Sequence, residues 1–107
     1  MTAKEIVDII RQNDSNIPAD RLYVTESKDK FTIFDNYDSP YSCGLIYDSG
    51  KWHAHSNSML ARAPITEDTA LEIASNFFGK GSLLAEDIVA DHIAEEERIR
   101  QQDRGAD

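Results

Sequence analysis

The sequence predicts an α+β domain: an N-terminal helix, a three- to four-stranded antiparallel sheet and two C-terminal helices, the helices mainly on one sheet face. Three observations predict it. Apolar residues recur at helical spacing at both ends of the chain. Short β-branched and aromatic runs, separated by polar turn residues, fill the middle. Elements of one type come in runs and do not alternate, which favours α+β over a parallel α/β sheet.

The first helix opens at Thr2. Glu5 follows three residues later, the spacing of a capping box. Ala3, Ile6, Val7 and Ile10 then form one apolar stripe. Asn13-Asp14-Ser15-Asn16 ends it, because such side chains bond the backbone in turns, and Pro18 follows.

Leu22-Tyr23-Val24-Thr25 and Phe31-Thr32-Ile33-Phe34 read as two strands of a hairpin with Lys28-Asp29-Lys30 at its tip. Asp35 to Pro40 is a loop by composition. Tyr41 to Tyr47 is a third strand, and Lys51 to about His55 a fourth. Residues 56–63 either extend the sheet or cross over it.

The turn before the fourth strand sets its register. A two-residue type I′ loop, Ser49-Gly50, needs positive φ at both positions, which serine disfavours. A three-residue loop, Asp48-Ser49-Gly50, asks this of Gly50 alone and is preferred. It places Ile46 opposite Trp52 on the helix-covered side, with Gly44 opposite Ala54. It places Leu45 opposite His53, and Cys43 opposite His55, on the other side. Under the two-residue loop the pairing slips and Cys43 moves to the Trp52 face.

The last forty or so residues read as two helices. Thr66 caps the first, with Glu67 and Asp68 in the first turn. Ala70, Leu71, Ala74, Phe77 and Phe78 share a face, and Gly79 stops it. Ser82 is placed to cap the second, whose stripe is Leu84, Ile88, Val89, His92 and Ile93. Past Ala94 the stripe fades into Glu95-Glu96-Glu97-Arg98. Residues 1–100 are expected to form a single domain, with 101–107 a frayed polar end.

A formal charge of −9 on 107 residues repels nucleic acid and anionic membrane, so direct binding to either is not expected. Cys43 is the single cysteine. That points to a chain without an internal disulfide and to a cytoplasmic home. The opening residues do not read as a signal peptide. The sequon at Asn13 is therefore idle. No apolar run approaches the ~20 residues of a membrane helix.

His53, His55 and Cys43 are the candidates for metal or thiol chemistry. Zinc takes such ligands, and a neighbouring imidazole activates a thiolate. No C-x-x-C or H-x-x-x-H pair supplies the remaining ligands, and no third orienting group accompanies the thiol. Gly79-Lys80-Gly81-Ser82 lacks the spacing of a phosphate loop. The expectation is a protein without catalytic machinery, metal or cofactor, and a partly wet strand face at His53 and His55.

Two features point to a binding surface. Asp35, Tyr37, Asp38 and Tyr41 combine aromatic anchors with carboxylates that suit arginine or lysine. Glu86, Asp87, Asp91, Glu95 and Glu96 crowd the last helix. Asp91 and Glu95 are like charges at i,i+4, whereas Glu96 and Arg100 are an opposite pair. In size and charge alone the chain resembles the small phage proteins that block bacterial defence, such as anti-CRISPR or anti-restriction inhibitors. It resembles small toxin-immunity proteins equally. The resemblance is compositional and covers no residue pattern. The expected function is stoichiometric occupation of a basic, even nucleic-acid-binding, surface on a partner protein. The alternatives are toxin immunity and a small metal- or thiol-dependent enzyme built on His53, His55 and Cys43. A homodimer through a β edge or the C-terminal helix is a further expectation.

Overall fold

The computed structural model describes residues 2–17, 21–35, 43–77 and 80–105, and for residues 43, 80–82 and 102–105 the backbone alone. The order is α1 (Ala3–Asn13), β1 (Leu22–Ser27), β2 (Lys30–Asp35), β3 (Cys43–Asp48), β4 (Lys51–Ser56), β5 (Ala61–Ile65), α2 (Glu67–Ser75) and α3 (Lys80–Gly105). The α+β class and the element order agree with the sequence. The strand count does not: the five strands form one antiparallel sheet in the order β1-β2-β3-β4-β5.

The extra strand is β5, where residues 56–63 left the reading open. Pro64 argues against a central strand, but β5 is an edge strand, where a missing N–H costs least. The turn before it holds Leu60 at φ 49.

α1 is capped as expected. Thr2 Oγ1 accepts from the Glu5 N–H at 3.3 Å, and Ala3, Ile6 and Ile10 are buried. Thr66 does the same for α2, accepting from the Thr69 N–H at 3.2 Å. α3 starts at Lys80, so Ser82 lies inside the helix and does not cap it.

The register of β3 with β4 corrects the three-residue loop. Asp48 pairs with Lys51, leaving the two-residue loop Ser49-Gly50, with φ 52 and 85. These are the left-handed angles of a type I′ turn. Ser49 is held there from outside: its N–H donates to the carbonyl of Asp29, at the tip of the neighbouring hairpin, at 2.8 Å.

The slip redistributes the faces of β3. Leu45 pairs with Ala54 and Tyr47 with Trp52, on the helix side, and Leu45 is fully buried. Ile46 pairs with His53 and not with Trp52, and Gly44 pairs with His55 and not with Ala54. Trp52 and Ala54 are buried in the core, as expected.

The core lies between the sheet and the helices. It joins Ile6 and Ile10 of α1, Ile33, Leu45, Trp52, Ala54 and Ala63 of the sheet, Ala70, Ile73 and Ala74 of α2, and Ala85 and Val89 of α3. Phe31, Tyr47 and Trp52 pack in one cross-strand row at 4.9–5.7 Å between ring centroids. α1 packs on β2, α2 on β4, and α3 across β3, β4 and β5. Among the described residues no helix covers the other sheet face. No helix among the described residues is long and apolar enough to cross a membrane.

Candidate functional site

α3 is long for its support. Ala85 and Val89 are buried, and Leu84, Ile88, His92 and Ile93 are half-buried. From Ala94 to Gln101 every residue is exposed. The fading stripe has its structural meaning here: the helix leaves the domain after Ile93. Residues 94–105 add about 18 Å at 1.5 Å per residue. The molecule is 55 Å long and 29 Å across its next axis. Its radius of gyration is 15.0 Å, against about 13 Å for a compact chain of this length.

The five acidic residues of α3 singled out in the sequence fall in three environments. Asp87, Asp91 and Glu95, four residues apart, form one row on the outward face, and all are exposed. They enter no ion pair with a described residue. Glu86 is turned to the flank, where its Oε1 accepts from Ser58 Oγ at 2.7 Å. Ser58 Oγ lies 3.1 Å from the buried Ser56 Oγ, so Glu86 ties α3 to the β4–β5 turn. Glu96 is 3.1 Å from His92 Nε2, one turn back, and not in the expected pair with Arg100.

Asp35, at the end of β2, is 5% exposed. Its Oδ1 accepts from Arg21 Nε at 3.0 Å, so this carboxylate already holds a cation of its own chain. Tyr37, Asp38 and Tyr41 lie outside the described residues.

The sheet face without helices carries the histidines. Two cross-strand rows build it: Tyr23, Phe34, Gly44, His55 and Arg62, then Thr25, Thr32, Ile46, His53 and Pro64. Phe34 meets the His55 ring edge-on at 5.2 Å between centroids. Thr32 and Ile46 are buried between neighbours even without a covering helix. Both histidines are half-buried, and neither Nδ1 atom has a hydrogen-bond partner among the described residues. Burial holds both imidazoles below their ordinary pKa. The Arg62 charge lowers both further, while Asp48 pulls His53 the other way against Lys51 and Lys30.

Cys43 pairs with Ser56, so it does not stand across from His55 as the three-residue loop required. The described residues contain no cluster of three or more histidine, cysteine or acidic side chains that could hold a metal. His92 is on α3, which packs on the opposite sheet face.

Lys30, Lys51 and Arg62, with Asp48 among them, lie around the histidines on the open sheet face, while the row of carboxylates runs along α3 on the other side. The α3 row was legible as an acidic run, but its separation from Glu86 and Glu96 needed the helix placed. The chain matches no family model, no curated protein and no solved structure.

Proposed function

We propose that the protein is a non-enzymatic binding protein that occupies a basic surface on a partner protein through the outer face of α3. One observation carries this reading: Asp87, Asp91 and Glu95 stand exposed in a row, without an ion pair among the described residues, on a helix that runs out beyond its domain. The row costs the isolated protein free energy, since like charges at i,i+4 repel by a few tenths of a kcal/mol. A cationic partner surface would convert that repulsion into attraction. Carboxylates repeating about every 6 Å along one line suit guanidinium and ammonium groups that otherwise meet phosphates. Inhibition of a nucleic-acid-binding protein, of the anti-CRISPR or anti-restriction kind, is the function that such a face serves best. Toxin immunity would use the same contact.

Asp35 is not part of this contact, because Arg21 already occupies its carboxylate. Glu86 flanks the contact and ties the helix to Ser58, while Glu96 pairs with His92 within the helix.

The test is capture of partners from the native host, followed by titration calorimetry at several salt concentrations. Affinity should fall with ionic strength, and the variant Asp87→Asn/Asp91→Asn/Glu95→Gln should bind more than tenfold more weakly. A complex indifferent to both salt and this variant rules the reading out.

A further inference from the structure

The two edges of the sheet are built differently. β5 carries Pro64, which has no N–H to offer, beside the charged Arg62. Both are devices that keep an edge from pairing. β1 has neither proline nor lysine nor glycine, and Glu26 is its one charge. Its residues from Tyr23 to Ser27 are all exposed, Tyr23 at 57% and Val24 at 39%. Val24 points to the helix side of the sheet, yet α1 stops at β2, and among the described elements β1 packs substantially against β2 alone.

The outward backbone of β1 follows from its hairpin. Ser27 pairs with Lys30 across the two-residue turn Lys28-Asp29. Residues flanking such a turn bond each other, and the pattern then alternates. Ser27, Thr25 and Tyr23 therefore spend their backbone groups on β2. Leu22, Val24 and Glu26 present theirs outward.

We propose that β1 is a homodimerisation edge, pairing antiparallel with β1 of a second copy about a twofold axis at Val24. In this register Val24 meets Val24, and Leu22 meets Glu26 of the other copy, with about six backbone hydrogen bonds. Tyr23 meets Thr25 on the open face. No like charges oppose one another. The twofold keeps the helices of both copies on the same side, so the exposed shelf beside Val24 is closed by its own counterpart. The other sheet edge, with Pro64, cannot serve equally. This inference does not rest on the role proposed for α3.

Such an interface is small, so the dimer is weak, with a Kd of about 10–100 µM. Sedimentation velocity of the full chain from about 1 to 500 µM should show monomer passing to dimer. Val24→Lys keeps the backbone and adds an edge charge; Val24→Pro removes an N–H that β2 does not use. Both should stay monomeric over the whole range while keeping the wild-type circular dichroism. The amides of Val24 and Glu26 should exchange more slowly in the concentrated wild type. A wild type that stays monomeric at the highest concentration overturns the proposal. A dimer that persists in well-folded Val24→Lys also overturns it and moves the contact to another surface.

Discussion

The ring of Phe34 lies over Gly44 of the next strand, filling the space where a side chain would stand. A Cβ at position 44 would also come within 2.7 Å of the Ile33 carbonyl oxygen, which is backbone and cannot swing away. Alanine ordinarily stabilises a strand relative to glycine. Here the overlap wins, and Gly44→Ala should destabilise the fold by about 1–3 kcal/mol. Urea denaturation measures this. Adding Phe34→Ala should recover part of the loss, so the two changes together should cost less than their sum.

The Ser49-Gly50 turn offers a gain. Ser49 sits at φ 52, where asparagine is favoured and serine is not. Its N–H bond to Asp29 does not depend on the side chain. Ser49→Asn should raise stability by about 0.5 kcal/mol. A loss in thermal denaturation would mean that the turn is not of type I′.

Acid should weaken the fold through the open sheet face. His53 and His55 have folded-state pKa values below their ordinary 6.5, mainly through burial and then through Arg62. The unfolded chain therefore takes up protons first as pH falls. The stability these histidines hold is complete above about pH 6.5 and is lost as pH drops from there toward their folded values. Melting temperatures between pH 7.5 and 5 should fall accordingly. The variant His53→Gln/His55→Gln should flatten that part of the profile. An unchanged slope would place the acid sensitivity elsewhere.

Neutralising the α3 row should have opposite effects on folding and binding. Asp87→Asn/Asp91→Asn/Glu95→Gln removes two like-charge i,i+4 contacts and should stabilise the free protein by about 0.5 kcal/mol at low salt. The gain should fade in high salt. The same change should weaken the partner complex. A variant that is less stable at low salt would show that these carboxylates already have a structural partner.

Much of the fold was legible because local signals agreed with tertiary ones. Thr2 and Thr66 cap the helices they were expected to cap, and the β1–β2 hairpin has its tip at Lys28-Asp29. One expectation failed because a local preference yields to its surroundings. Serine's dislike of positive φ argued against the two-residue turn. The Asp29 carbonyl and the burial of Leu45 and Tyr47 beside Trp52 outweigh it. β5 was not separately expected, because residues 56–63 fit either an extension of the sheet or a crossover; Pro64 is admissible in it because β5 is an edge strand. The candidate site was legible as composition only. Nothing in the sequence distinguishes Glu86, turned to Ser58, from Asp87, turned to solvent, until the helix has been docked.

The meander has a kinetic consequence. Every strand pairs with its neighbour in sequence, so each pairing closes a short loop and carries a small entropic penalty. The sheet can then zip from its two tight turns, Lys28-Asp29 and Ser49-Gly50, before any distant segment arrives. α1 is the exception. It reaches the core beside α2, across more than fifty residues of chain. On loop-closure grounds, the packing of α1 against α2 is expected to follow the zipping of the sheet.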